Sequence, residues 1–436
     1  MASVSEIEAA AAPAPSRDWT VAASYSLGFL TLISACNYLD RSLLGLALPA
    51  IKAEMHVSDT ALGLVSGLAF LLFYSILGVP IAWAADRWSR RNIIAIGFAF
   101  WSLMTMATGW VSNIWQLALA RFLMGAGEAS GLAPSNSMIS DLFRIERRPL
   151  ALSIFGTAVS ISGILFFPAL GWIGQAYGWR QMFFVAGLPG VALALLFVIT
   201  VREPKRGAAE RRGSAHAERA GLGETLAFLL RSRAYLAMVA GATFMGLNVF
   251  AAGVWIPSFL ERVHGLNIAE VASVVGPMRG IFGAAGVILG GLAIDRLGRR
   301  AAHWRISLPA IACLLTGPVE LVFLLVDAKP VWLAAFAASS FLTLVHQGPI
   351  FAAVMSVARV RMRAVAVSVL LFCSALLGQA AGPLLVGMAN DWLAPTLGDT
   401  AIRYSLLIIA FTATMGGLMF WIAGRFIEAD AARAAE

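Results

Sequence analysis

The sequence predicts an all-α membrane protein of twelve transmembrane helices in two pseudo-symmetric six-helix bundles. Three observations carry that expectation. Of the 436 residues, 59% are hydrophobic and only 13% are charged, where a soluble chain carries about a quarter charged residues. Apolar runs of roughly 20 residues, each long enough to cross a bilayer, recur from residue 21 to residue 426. A short basic loop, DRWSRR at Asp86–Arg91, returns as DRLGRR at Asp295–Arg300, each copy after a Gly-rich crossing and before the next one.

Residues 1–19 are Ala- and Pro-rich and lack the basic start of a signal peptide, so a disordered cytoplasmic lead is expected. Six crossings then fill 20–201, at about 21–51, 59–84, 92–112, 114–140, 149–177 and 181–201. A polar interval at 202–233 suits a solvated linker, in which GETLAFLLRS has the pattern of a short helix at the membrane surface. The second six fill 234–426, at about 234–260, 268–294, 304–326, 331–357, 365–390 and 401–425, and 427–436 is expected as a cytoplasmic tail. A loose repeat also links crossings five and eleven, SGILFFPALGWIGQAYGW against LGQAAGPLLVGMANDW. Parallel repeats of this kind place a substrate cavity between the halves near mid-membrane.

Charge position sets the expected topology. With the N-terminus inside, 24 of the 32 Lys and Arg residues fall on the cytoplasmic side. Only Lys52, Arg180, Arg262, Lys329 and Arg403 lie on the other side, and three lie within the membrane. The positive-inside rule then puts both termini in the cytoplasm of a multi-pass protein of the cell (inner) membrane. The net charge of +8 and pI of 9.9 follow from that topology, with contact to anionic membrane lipids, and argue against a nucleic-acid partner. Cys36, Cys313 and Cys373 show no paired spacing, so neither disulfides nor a metal cluster is expected. No nucleophile elbow, metal-ligand pattern or phosphate-cradling Gly loop is present, which argues against an enzyme and against a bound cofactor.

Charged residues well inside the crossings are few, namely Asp40, Arg41, Arg121, Glu128, Arg279 and Glu320. A charge at the bilayer centre costs a few kcal/mol even on the lenient insertion scale, so such residues are functional candidates by default. Arg121 and Glu128 are seven positions apart on crossing four, two helical turns or roughly 10 Å, and so share one face. Close packing of crossings one and four would gather Asp40, Arg41, Arg121 and Glu128 into one polar cluster facing the cavity. Burial and a nearby guanidinium push a carboxyl's proton affinity in opposite directions, which suits proton coupling. Arginine stays charged throughout and serves as counter-charge or as a bidentate anion ligand. The alternative is a static ion-pair network that specifies helix packing.

Around this group Gly127 and Gly131 form a small-xxx-small step that lets a helix approach closely, and Pro134 is expected to kink or loosen the helix. Arg279, flanked by Gly276 and Gly280, is a candidate for an acidic substrate group, with a backbone carbonyl as the other partner it would suit. Tyr38, Phe70, Tyr74, Ser130, Trp255 and His346 join it as candidate substrate contacts, although a lone histidine such as His346 is more often a packing residue. Glu320 is set aside because its place in the outer half of its helix lets it reach the interface.

The repeated D-R-x-[SG]-R-R loop resembles the signature of the major facilitator superfamily, over nearly the whole chain. That resemblance implies alternating access by two rocking bundles, with Asp86, Arg87, Arg91, Asp295, Arg296 and Arg300 as gating residues at the cytoplasmic face. The other reading of these loops is simple charge anchoring. NYLDR at Asn37–Arg41, R-x3-G-x-GEAS at Arg121–Ser130 and DLF at Asp141–Phe143 resemble the Spinster family within it. The resemblance implies a proton-linked carrier of lysophospholipid or sphingosine-phosphate-like amphiphiles, with Asp40, Arg121 and Glu128 as its coupling group, and a monomer is expected. The organic-anion symporters of the superfamily are similar on the first and fourth helices, but the Phe-Pro pair expected just after Glu-Ala is missing here. Export of drug-like amphiphiles and a membrane receptor that binds without transport are the further alternatives.

Overall fold

The computed structural model describes residues 19–206, 221–301 and 303–435, which form helices and turns and, among the described residues, no strand. The expected disordered lead, apart from Trp19, and the middle of the linker at 207–220 lie outside the described residues. Crossing one is Val21–Met55, started by Thr20, whose hydroxyl accepts from the Ala23 N–H at 3.1 Å. Crossings two and three are Asp59–Ala85 and Arg90–Thr108. Crossing four is split into Ile114–Glu128 and Leu132–Leu142. Crossings five and six are Arg148–Tyr177 and Trp179–Thr200. The linker forms the expected short helix, Leu222–Leu230.

The second half runs as Arg233–His264, Ile268–Arg300, Trp304–Leu325, Lys329–Ser356 with a break at His346, Arg363–Leu397 and Leu407–Ala435. Crossing eight is longer than expected, and crossing twelve continues helical through 427–435. Among the described residues, eight helical stretches have the length and hydropathy of a bilayer span, the last covering crossings eleven and twelve together. Crossing four is outside that set because its break leaves helices of 15 and 11 residues. The break in crossing four falls at Ala129–Gly131, just before Pro134. Proline has no N–H to offer the Ser130 carbonyl one turn back and its ring crowds that carbonyl, so the helix opens there.

The two halves touch at one end only. A hydrophobic core at the end remote from the described chain ends draws on both halves, from Leu43 and Leu48 to Trp255, Phe259 and Phe323. At the end that carries Trp19 and Ala435 the cores are separate, one within the first half and one within the second. Besides crossing one on crossing seven, where Gly45 packs on the Gly253 and Val254 carbonyls, two seams join the halves. Crossing two meets crossing eleven, where a Cβ at Gly67 would collide with the Gln379 carbonyl oxygen. Crossing five meets crossing eight, where Gly163 and Gly276 lie backbone to backbone, and Ser160 Oγ donates to the Gly280 carbonyl at 3.1 Å. Each seam has a wide π turn on its first-half helix, Val65–Ala69 and Ser162–Phe166. Nearer the chain ends, Gly78 and Gly156 on the same two helices face open space, so the halves diverge there.

A charged latch closes the remote end. Asp59, buried at the start of crossing two, takes a bidentate pair from Arg262 of crossing seven at 2.7 and 3.0 Å and a further one from Lys52 at 2.8 Å. Asp391 of crossing eleven accepts from the Asp59 and Thr60 backbone N–H groups at 3.0 and 2.8 Å. Those groups are otherwise orphan donors at a helix start, where the helix dipole favours an anion.

The seams generate a prediction. Gly276→Val places carbon where the Gly163 carbonyl oxygen sits, so the closed arrangement of the remote end is expected to be disfavoured. Spin labels at Gln175→Cys and Ile268→Cys, whose parent residues are hydrogen-bonded at 3.2 Å across this seam, should then report a longer distance in the variant. An unchanged distance distribution would show that this contact does not govern closure.

Candidate functional site

Crossings one and four do bring the four charged residues together. Asp40, Arg121 and Glu128 are 4%, 2% and 1% exposed. Arg41 Nε donates to Glu128 Oε2 at 2.7 Å, and the Arg41 side chain remains a quarter exposed, at 25%. Its guanidinium stacks 5.0 Å from the ring centroids of both Phe70 and Tyr74. Arg121 Nη1 donates to the Asp40 backbone carbonyl at 3.2 Å, and its guanidinium lies 5.5 Å from the Phe70 ring. The Asp40 carboxyl faces Thr105 and Trp101 of crossing three, within electrostatic reach of Glu128 and Arg121. Glu128 Oε1 and Arg121 Nε are buried without a hydrogen-bond partner among the described residues.

Local sequence explains how these side chains are held. Gly125 packs on the Phe70 carbonyl of crossing two, and Gly127 packs on Trp101 and the Gly97 carbonyl of crossing three. Crossing four is thereby drawn between two neighbours, with Glu128 as the last residue before its break. The Ser130 hydroxyl turns back to donate to the Gly127 carbonyl at 2.7 Å. Beside the cluster a cavity of about 50 Å³ is lined by Asn37, Tyr38, Arg41, Tyr74, Glu128 and Ser135 among others.

The candidate substrate contacts divide. Tyr38 and Tyr74 border the cavity. Phe70 is fully buried beneath the two guanidiniums, Ser130 is buried by its backbone bond, and buried Trp255 donates to the Pro383 carbonyl at 2.9 Å. These three present no surface to a ligand in this conformation. His346 is buried at the break in crossing ten, with Nδ1 2.8 Å from the Thr343 carbonyl and its ring against Phe420. Arg279 lies on crossing eight with its guanidinium 6.0 Å from the Phe336 ring centroid, and no hydrogen bond or ion pair to it occurs among the described residues. Glu320 departs from the expectation of an interfacial side chain. It is 3% exposed, inside the second bundle, and both its oxygens accept from Asn248 Nδ2. The inward turn of its helix face was not visible from its position along the helix.

The repeated loops differ between the halves. Arg87 donates to the Trp83 carbonyl at 3.3 Å, and Arg91 donates to the Val198 and Val201 carbonyls at 3.2 and 3.3 Å. No hydrogen bond or ion pair among the described residues links Asp86, Arg87, Arg91, Asp295, Arg296 or Arg300 across the halves. The centre of the first loop is Arg90, which the motif alone did not single out. It is buried and donates to Asp141 at 2.5 Å, Glu203 at 2.9 Å, Ser137 at 2.9 Å and the Pro204 carbonyl at 3.1 Å. Glu203 also accepts from the Arg91 N–H at 2.7 Å and the Ser89 hydroxyl at 3.0 Å. Burial acts to raise the Glu203 carboxyl, but the Arg91 N–H, Arg90 and Ser89 outweigh it and hold the group below the usual carboxylate range.

Comparison with known proteins follows the same lines. The family model described as Major Facilitator Superfamily matches residues 30–383. An efflux pump of that type from Mycolicibacterium smegmatis is 29% identical over 422 residues, covering 95% of this chain and 95% of the relative. A sphingosine-1-phosphate transporter of Danio rerio is 27% identical over 433 residues, covering 94% and 85%. A crystal structure of a bacterial homologue of the human lysosomal transporter Spinster, inward-facing and unoccupied, superposes with a TM-score of 0.84 at 26% identity, covering 94% of this chain and 99% of that one. The Spinster resemblance carried by the motifs is thus borne out.

The Arg90 hub yields a pH prediction. A carboxyl held below its unfolded value contributes stability above that value and loses it as pH falls through the native one. Glu203→Gln is therefore expected to lower the melting temperature at neutral pH, through charge-assisted bonds worth about 1.5–3 kcal/mol each. The gap between variant and wild type should close under acid conditions. Thermal unfolding of the detergent-solubilised proteins across pH checks this, and a gap independent of pH would rule out an ionised latch.

Proposed function

The chain belongs to the Major Facilitator Superfamily, and from that premise we propose that it is a proton-coupled secondary transporter of lysophospholipid or sphingosine-phosphate-like amphiphiles working by alternating access. The observation that carries this reading is the Arg41–Glu128 pair at 2.7 Å, with Asp40 and Arg121 beside it at the wall of a cavity. Glu128 engages Arg41 through Oε2, which leaves Oε1 as the position for a proton. A proton on Glu128 weakens its hold on Arg41 and frees that guanidinium for an anionic headgroup, since arginine recognises phosphate bidentately. Asp40 acts as the second acid of the group, and Arg121 holds the backbone between them.

The seam geometry supports the alternation. With both termini in the cytoplasm of the cell membrane, the joined end is the outer one, and this conformation faces inward. Release of the Asp59–Arg262 latch and of the two glycine seams would open the outer side, while the loops at Asp86 and Asp295 would approach each other and gate the inner side. Tyr38 and Tyr74 flank Arg41 with apolar faces and polar tips, a surface suited to a substrate with one headgroup and one tail. The protein works as a monomer in this reading, since one chain supplies both bundles. The similarity to a Danio rerio sphingosine-1-phosphate transporter supports a lipid-like cargo. The similarity to a mycobacterial efflux pump supports a second reading, outward export of other amphiphiles through the same site.

The test is uptake of a labelled lysophospholipid into proteoliposomes under an imposed pH gradient. Asp40→Asn and Glu128→Gln are each expected to abolish gradient-driven accumulation while exchange of labelled for unlabelled ligand continues. Accumulation of a hexuronate by a protein that ignores lysolipid would overturn the cargo and favour an organic-anion symporter. Saturable binding with no exchange would instead mark a receptor.

A further inference from the structure

The second bundle holds a buried acid that the coupling group above does not use. Glu320 of crossing nine is 3% exposed, and its oxygens lie 2.9 and 3.0 Å from Asn248 Nδ2 of crossing seven. The same nitrogen is 3.0 Å from the Ile409 carbonyl of crossing twelve. An amide nitrogen has two hydrogens. One goes to Ile409, so Glu320 receives one neutral N–H shared between both oxygens. None of the ion pairs among the described residues involves Glu320.

That setting contrasts with the first bundle. Glu128, equally buried, has a guanidinium in direct contact. An ionised carboxylate in a bilayer interior with no cation against it and one shared neutral donor is poorly compensated, whereas a carboxylic acid there has its carbonyl oxygen satisfied by that donor. Of the charged and titratable groups facing Glu320, crossing eight contributes Arg279 and crossing nine itself contributes Cys313. Crossings seven and twelve contribute the Asn248 amide and a backbone carbonyl, which carry no charge.

We propose that Glu320 is a second proton-binding carboxyl, housed in the C-terminal bundle and holding its proton in this conformation, with Arg279 as the cation that decides when the proton leaves. The position of Arg279 supplies the switch. It lies between Gly276 and Gly280, both of which pack against crossing five at the seam between the halves. Parting that seam changes what surrounds the guanidinium. An Arg279 brought against Glu320 stabilises the carboxylate and expels the proton to whichever side is then open. An Arg279 occupied by an anionic headgroup leaves Glu320 protonated. The substrate and the Glu320 carboxylate would thereby compete for one guanidinium, so that proton and substrate favour each other's binding, and the cycle would carry a proton site in each bundle.

The role of Glu320 in transport rests on the proton-coupled, alternating-access reading above, but its protonation can be read without transport. Infrared spectroscopy of the full chain in lipid nanodiscs, in normal and heavy water at neutral pH, detects a protonated buried carboxyl by its carbonyl stretch. The Asp40→Asn, Glu128→Gln double variant removes the first bundle's contribution. In that background a carboxylic-acid band is expected to remain, and adding Glu320→Gln should abolish it. Asn248→Ala, which removes the donor and keeps the acid, should move the band to higher frequency. A band that survives Glu320→Gln, one that does not move in Asn248→Ala, or no band at all before Glu320 is changed would overturn the proposal. Failure of gradient-driven lysolipid uptake in the wild type would instead count against the transport reading, leaving the spectroscopic assignment to stand or fall separately.

Discussion

Charges inside a membrane protein must be satisfied by the protein itself, because lipid offers them neither a donor nor an acceptor. The first bundle is organised around that constraint. Four charged side chains on crossings one and four require those helices to lie in contact, and Gly125 and Gly127 permit it by admitting crossings two and three against crossing four. Phe70 then fills the space beneath both guanidiniums, which lie 5.0 and 5.5 Å from its ring. The aromatic face offers a cation some of the compensation that water would otherwise give. The residues that look like a substrate wall in the sequence are thus partly the support of the charged group.

A site of this kind is useful to a transporter only if the surrounding helices can part without unfolding. The contacts between halves have the properties that allow it. At Gly67 and at Gly163–Gly276 backbone meets backbone, and the large side chains that must part lie in the core that the halves share. The charged latch at Asp59 is partly exposed through Lys52, whose side chain is 35% exposed, and water can replace its partners when it opens. Each half keeps a separate apolar core at the end that carries the described chain ends. Motion of one bundle against the other therefore disturbs only the core that they share.

The fold and the first-bundle site were legible because both depend on what lies along a single helix. Apolar length reports a crossing, and an ionisable residue within that length marks a candidate site. Asp40, Arg41, Arg121 and Glu128 stood out on those grounds, and they meet. The features that stayed hidden all depend on which helix faces which. Glu320 appeared close enough to the membrane surface to escape, and only the inward turn of its helix face gives it Asn248, seventy-two positions away, as a partner. Arg90 was one basic residue in a basic loop until the chain returned with Glu203 and Asp141. Asp59 and Arg262 could not be paired along the chain, because nothing in either segment names the other. Phe70 and Tyr74, four apart on one helix, were equally apolar in sequence, yet one is buried under the guanidiniums and the other borders the cavity.

The repeated loop shows how far an internal repeat can be trusted. DRWSRR and DRLGRR agree at Asp, at the first Arg and at the closing Arg pair, yet their local structures differ. In the first copy the helix stops at Ala85 and a new one starts at Arg90, with the Ser89 hydroxyl accepting from the Asn92 N–H at 3.3 Å and donating to Glu203. In the second copy glycine stands at the position of Ser89, and the helix runs unbroken through the motif to Arg300. Glycine has no side chain with which to cap a new helix, and serine is among the best residues for doing so. The hydroxyl also recruits the chain that follows the first bundle, since Glu203 lies where it can accept from Ser89, Arg90 and Arg91 at once. One substitution between repeats thus separates a loop locked to the linker from a loop that continues its helix. The locked copy immobilises Arg90 and Arg91 against their own bundle. The second copy makes no such attachment among the described residues, so an approach of the two loops would be made chiefly by the C-terminal one.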